Sequence, residues 1–280
     1  MLNLIRMNFY RMSHSVSTWV ILITMVVFMG LTVVTNCVLM KNLVNSDGTM
    51  KIESSESITE ESTTTENTAE MVAEAYGHKI TINSRFQAGV QGGDLLIFLA
   101  IFTVIFVHAE EKNGFIKNIA CRTKHKWDIF LAKLPVIACY TLVCILLYFV
   151  LNTVIMKIWF PHFELGIEAK TFVIFGLELL LYFGYMALCS MLIVVSKNSA
   201  IGMTFSLIPI FGIGMIVIKL LNFLIKHDVD LNKYTLIGNL ASISTESANS
   251  DLVRALIVAV VWFVIWIAIS MLTTEKRDVI

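Results

Sequence analysis

The chain has 280 residues, 57% hydrophobic and 15% charged, with a mean hydropathy of +0.78. A soluble domain carries about a quarter charged residues, so this composition excludes a water-soluble globular protein. Its 21 Lys and Arg balance 21 Asp and Glu, so the positive excess of a nucleic-acid-binding protein is absent, and only the placement of charge is informative.

Residues 1–15 lack the short apolar core and small-residue cleavage site of a signal peptide. Leu2, Ile5, Phe9, Met12 and Val16 instead recur at spacings of three and four, which predicts a short amphipathic helix lying in the membrane interface, or a helical extension of the first span. About 20 apolar residues cross a bilayer core. On that criterion residues 16–40 form a first span. Residues 41–89 follow as a Ser/Thr/Glu-rich loop whose middle cannot bury a core. Within it, Glu66–Tyr76 has a weak helical pattern, and Lys79–Phe86 alternates as a strand would.

Further apolar runs predict spans at 90–109, 134–156, 171–195, 200–221 and 252–272. The second has a short apolar part, Leu95–Val107, and must take in Gly92, Gly93 and Asp94. Pro135 falls in the first turn of the third, where a missing N–H costs nothing. The fifth contains Gly202, Pro209, Gly212 and Gly214, which suggests a kink or break. Asn222–Asp251 reads as a second polar loop. The expected fold is therefore an all-α polytopic membrane protein, a single domain over residues 1–280 with six transmembrane helices.

Six spans place both termini on one side. The termini, the 110–133 segment and Lys197 together hold eleven Lys and Arg against five acids; the rest of the chain holds ten against sixteen. Positive residues concentrate in cytoplasmic loops. The termini and the 110–133 segment are accordingly expected inside the cell, and the 41–89 loop outside. The five cysteines (Cys37, Cys121, Cys139, Cys144 and Cys189) form no C-x-x-C or Cys/His ligand spacing and no disulfide framework, so they read as small buried hydrophobes, and no metal site is expected.

The sequence contains no H-E-x-x-H, no G-x-S-x-G and no G-x-x-x-x-G-K-[ST] phosphate loop. No catalytic residue is assigned, and the chain cannot hydrolyse ATP by a phosphate-loop mechanism. Glu110-Glu111 resembles the Glu-Glu pair of certain membrane proteases, but the Arg that should follow the second Glu by four residues is Phe115 here.

The segment Glu110–Lys133 carries more information. Asn113 and Gly114 break the second span. Phe115, Ile116 and Ile119 then share one side of a short helix, with Lys117 and Arg122 directed elsewhere. Such a helix fits a groove on a partner protein, or grips membrane lipid headgroups through its basic residues.

The segment resembles the cytoplasmic loop between the second and third spans of ABC-2-type permeases, the membrane subunits of ATP-binding-cassette exporters. The matching residues are Glu111, Gly114, Lys117, Asn118, Arg122 and Lys133, and the tail Lys276, Arg277, Asp278 resembles that family's basic-then-acidic ending. The chain departs from the pattern in lacking a small residue or Pro near Cys121, and its 41–89 loop is larger than in compact members.

The resemblance implies a permease subunit that pairs with a second, identical or homologous permease above cytoplasmic ABC ATPase subunits. Those subunits hold the ATP and magnesium; this chain itself has no cofactor. Asn113, Gly114, Phe115, Ile116, Lys117, Ile119 and Arg122 would form the ATPase-coupling helix. The implied setting is a prokaryotic cell membrane, and the implied cargo an amphipathic molecule: an antimicrobial peptide, an antibiotic or a lipid-like compound.

Four residues are candidates for the cargo path. Glu178 is the one acid well inside a predicted span, and such acids are costly unless they serve a function or find a structural partner. Pro209 marks a hinge or an ordinary span proline. Trp262 and Trp266 lie one turn apart and either line a path or pack. Two rival readings stay open. One is a membrane sensor or structural protein whose extracellular loop binds a ligand. The other is an ion-coupled secondary transporter, against which stand the single intramembrane acid and the lack of an internal repeat.

Overall fold

The computed structural model describes residues 2–43, 81–112 and 127–275, apart from 163, 167–168, 215, 217–219, 221–230 and 244–246. The described residues form helices and no strand. In chain order these are α1 (Leu2–His14), α2 (Val16–Leu43), α3 (Ile82–Gln91), α4 (Asp94–Lys112), α5 (Trp127–Leu131), α6 (Leu134–Trp159), α7 (Ala169–Ser196), α8 (Ser199–Leu207), a 3-10 turn (Leu231–Tyr234), α9 (Leu236–Ser242) and α10 (Asn249–Glu275).

Among the described residues, four stretches, Val16–Lys41, Trp127–Trp159, Ala169–Ser196 and Asn249–Glu275, are long and apolar enough to cross a membrane; the bent pair α3–α4 makes a fifth if it counts as one span. Their outer faces agree with a lipid environment. Val20, Ile23, Val27 and Leu31 on α2, and Val253, Ile257, Val260 and Val264 on α10, are exposed. Lipid tolerates such apolar surface, provided the helix satisfies its own backbone.

α7 is the hub. It packs along α10, α8, α4, α6 and α9, and it buries Leu177, Leu181, Tyr182, Met186, Cys189 and Ile193. Two ends of the bundle can be told apart. At one, the Lys170 ammonium donates to the Ser247 carbonyl (2.8 Å), and the Ile82 and Asn83 N–H groups donate to the Glu164 and Leu165 carbonyls (3.1 and 3.2 Å). At the other, the Arg11 guanidinium donates to the Phe106 carbonyl (2.9 Å) and lies 4.9 Å from the Phe106 ring centroid, fastening α1 to α4. On α1, Phe9 and Met12 pack against the core while Leu2 stays exposed, as does Val16 at the start of α2.

Three expectations are corrected. The end of the 41–89 loop is helical from Ile82, not extended from Lys79. Thr81 and Ser84 form a reciprocal capping box, each side chain bonded to the other's backbone N–H (3.2 and 3.1 Å), and the α6–α7 connection takes the remaining orphan N–H groups. Thr81→Ala is expected to cost about 1 kcal/mol. That should appear as a fall of roughly 2–4 °C in the unfolding midpoint, read with a dye that labels the buried thiols Cys37, Cys144 and Cys189 as they become exposed.

The second span does not start as one helix at Val90. Gly92 and Gly93 (φ +81°) separate α3 from α4, which lie at 49° to each other. The expected kink or break in the 200–221 span is a break: α8 ends at Leu207, a turn runs through residues 208–212, and helical residues resume at Ile213 and Gly214. Pro209 removes the N–H that would have bonded to the Phe205 carbonyl, and Gly212 takes φ +78°. In turn, part of the predicted polar loop 222–251 belongs to the interior: Leu236, Leu240 and Ile243 are buried. The Glu66–Tyr76 pattern lies outside the described residues.

Candidate functional site

Three helix breaks stand out among the described residues, and side chains close each of them. Ile210 and Phe211 both donate to Leu207, so the Ser206 carbonyl loses its helical donor; the Tyr185 hydroxyl donates to it instead. At the α3–α4 break the Gly93 N–H reaches the Val90 carbonyl only at 3.5 Å, and the Tyr182 hydroxyl donates to that carbonyl at 2.7 Å. Before α9, the Asn239 amide donates to the Lys233 and Thr235 carbonyls (2.8 Å each), and the Trp262 indole N–H donates to Tyr234 (2.9 Å). A buried carbonyl left without a donor costs about 1–3 kcal/mol, so Tyr182, Tyr185 and Asn239 help make broken backbone tolerable inside the bundle, while Trp262 closes the more exposed Tyr234 carbonyl.

Glu178, Tyr182 and Tyr185 sit at spacings of four and three, on one stripe of α7. Tyr185 borders a cavity of about 190 Å³ that also touches Pro209, Gly214, Thr235, Leu236, Trp262 and Trp266. Pro209 and Gly214, which follow α8, and Thr235–Gly238 at the start of α9 both line it. Trp262 lies halfway along the 27-residue α10, so the cavity lies about 20 Å from either end of that helix. Trp262 and Trp266 stack with centroids 4.8 Å apart and planes at 17°. Three of the four cargo-path candidates thus meet in one place. Among the described residues its lining carries no charge, so it suits an apolar or aromatic group.

Glu178 is elsewhere, about 10 Å along the same stripe toward the α3 end. It is 1% exposed, and among the described residues neither carboxylate oxygen has a hydrogen-bond partner. It lines a second cavity, of about 200 Å³, with Asn83 and Gln87 from α3 and a wall formed by Phe86, Phe149, Phe172 and Phe175. Phe86 meets Phe149 edge-on at 5.1 Å. The Asn83 amide donates to the Thr171 hydroxyl at 3.3 Å, leaving the Asn83 carbonyl oxygen without a donor.

The model of a family described as "Protein of unknown function (DUF2705)" matches residues 85–280. The chain belongs to this family. The DUF2705 match opens inside α3 and takes in α4 to α10, so it holds every residue named in both cavities except Asn83. No curated protein matches the chain.

Asn113, Gly114, Phe115, Ile116, Lys117, Ile119 and Arg122 lie outside the described residues. Among the described residues, no group of three His, Cys, Asp or Glu side chains could hold a metal. Sequence reasoning missed Tyr182 and Tyr185, although their spacing from Glu178 was a readable signal. It also missed the phenylalanine wall, which comes from three helices and has no local signature.

Proposed function

We propose that the chain is the membrane permease subunit of an ATP-driven exporter of amphipathic cargo, working in a prokaryotic cell membrane. The observation that carries this reading is the pair of half-helices. α8 has 9 residues and α9 has 7, each too short to cross alone, and the turn that follows α8 and the start of α9 both border the Trp262–Trp266 cavity midway along α10. Broken backbone at membrane depth is tolerated where it borders a cavity or is buried in protein, and transport proteins build their substrate sites this way.

Taken as the two halves of one crossing, α8 and α9 join α2, the α3–α4 pair, α6, α7 and α10 to make six crossings. Both termini and the 113–126 segment then share the cytoplasmic side. The sequence holds no phosphate-loop motif, so the energy comes from ATP and magnesium on a separate ABC ATPase. That ATPase docks on Asn113–Arg122, and a second permease completes the pathway.

Movement needs a two-state element with different contacts in each state. The turns at residues 208–212 and 231–235 supply one, because side chains rather than helical ladders hold them. Arg11 ties α1 to α4, directly ahead of the docking segment, so a push on that segment reaches both the interfacial helix and the α4–α7 contact.

The test is co-purification. Expressed with its neighbouring genes, the wild-type chain should bring down an ATPase in stoichiometric amount. Replacing Phe115 and Ile119 together by Asp should release it while the permease stays monodisperse. Retention of the ATPase by that variant sinks the docking assignment. If no ATPase accompanies the wild type, the sensor reading takes its place.

A further inference from the structure

We infer that the Glu178 cavity is a binding site for the primary ammonium group of an amphiphile: an alkylamine headgroup, or the lysine-like end of a larger cationic molecule. The inference rests on the transport reading above, for which it names the class of cargo.

The cavity holds three acceptors without donors: both Glu178 carboxylate oxygens and the Asn83 carbonyl oxygen. Glu178 is almost wholly buried. An ionised carboxylate is not kept in such a place without a counter-charge. Among the described residues, no Lys or Arg lines the cavity. The cation nearest in sequence on α3, Arg85, lines a different cavity on the other side of that helix, together with Asp94, Asn36 and Asn152. Glu178 therefore stays a neutral acid unless a partner from outside the described residues brings it a positive charge.

Shape and chemistry narrow its identity. A primary ammonium brings one positive charge and three N–H donors, against three acceptors waiting for donors. The wall of Phe86, Phe149, Phe172 and Phe175 offers ring faces, which attract cations, and apolar surface for a methylene stem. About 200 Å³ is smaller than the pocket of a whole drug-sized ligand, which takes about 300 Å³ or more, and so accepts a headgroup alone. The tail leaves over Phe172 (70% exposed) and Leu146 (46% exposed), on the lipid-facing side of α7 and α6. The ligand thus enters from the bilayer, head first.

The test uses the full chain alone, without an ATPase, in nanodiscs of zwitterionic phosphatidylcholine, with empty nanodiscs as the blank. Equilibrium dialysis measures radiolabelled hexylammonium, hexyltrimethylammonium and hexanol. Hexylammonium should bind saturably and at least about tenfold more tightly than hexanol, the margin of one well-placed charged hydrogen bond. Glu178→Gln should abolish that preference, and Phe175→Ala should weaken both ligands.

Equal binding of hexylammonium by wild type and Glu178→Gln overturns the proposal. So does tighter binding of the trimethyl form, which has no N–H to offer. Should Glu178→Gln fail to fold, the wild-type protein still decides the matter. A hydrophobic carbodiimide labels buried carboxylic acids, and mass spectrometry locates the adduct. Hexylammonium should protect the Glu178 peptide from labelling and hexanol should not; no protection overturns the site. Ammonium binding without ATPase co-purification would remove the exporter reading and keep this one, and the converse result would do the opposite.

Discussion

Replacing Tyr182 and Tyr185 together by Phe is expected to lower the unfolding free energy by about 2–4 kcal/mol, although the two changes remove only two oxygen atoms. Each hydroxyl is the donor at a carbonyl stranded by a helix break, Val90 for one and Ser206 for the other. Hydrogen bonds between membrane helices average only about 0.6 kcal/mol and reach about 1.7, because the unfolded chain in lipid finds other partners. These two should stand at the top of that range. The carbonyls lie at the Gly92–Gly93 and Pro209 breaks, where the remaining backbone donor, the Gly93 N–H to Val90, reaches only 3.5 Å and Ser206 has none. The breaks are separate, so the single effects should add to within about 0.5 kcal/mol.

Tyr140→Phe on α6 is the control. Its hydroxyl is equally buried but has no partner beyond the neighbouring Cys144 thiol, so its loss should change stability by less than about 0.5 kcal/mol. Thermal unfolding read through Cys37, Cys144 and Cys189 compares the three variants directly. A double variant no less stable than Tyr140→Phe would show that the tyrosines do not hold the breaks.

What the sequence made legible follows the physics of lipid. A crossing helix must be apolar for about 20 residues, so the runs that became α2, α6, α7 and α10 stood out within a few residues of their true ends. Breaks do not show in that signal, because an apolar run has the same composition whether its helix is continuous or split. Pro209 marked a kink or a break, and only the observed turn shows that the helix breaks there and resumes at Ile213. The spacing of Leu236, Leu240 and Ile243, four and three, was a helix face inside a stretch that its polar neighbours made look like loop. Thr81 and Ser84 likewise formed a capping signal in what read as an alternating strand.

The candidate site was legible by residue and illegible by grouping. Glu178, Pro209, Trp262 and Trp266 were all identifiable, as an intramembrane acid, a helix breaker and two amphipathic aromatics. Yet Pro209, Trp262 and Trp266 share one cavity and Glu178 belongs to another. Those associations depend on how α3 and α9 fold into the bundle from stretches that read as polar loop. The same insertion sets Phe86 beside Phe149 and Phe175, and sets Leu236 against Gly184.

Gly238→Ala should be the most damaging single methyl group that can be added near the central cavity. The Gly238 N–H accepts the cap of α9 by donating to the Thr235 hydroxyl oxygen (3.0 Å), and a Cβ here would overlap the Asn232 carbonyl oxygen and the Thr235 hydroxyl. The Asn232 obstacle is backbone in a turn whose next three carbonyls are already held by Asn239 and Trp262, so it cannot simply rotate away. Overpacking of this kind costs about 1–3 kcal/mol, and losing the Thr235 cap adds about 1 kcal/mol. A drop of roughly 2–4 kcal/mol is expected from these two effects together. The displaced turn should also free the Trp262 indole from Tyr234, shifting its emission in a variant whose other tryptophans are replaced by Phe. Gly176→Ala, in the middle of α7 with nothing within 4 Å of the new Cβ, is the opposite case. It should be neutral or stabilising by up to about 1 kcal/mol, since Ala loses less backbone freedom than Gly on entering a helix. If Gly238→Ala were as mild as Gly176→Ala, the turn before α9 would be soft enough to move without breaking its side-chain bonds, and the two-state element would have to be sought at Pro209 instead.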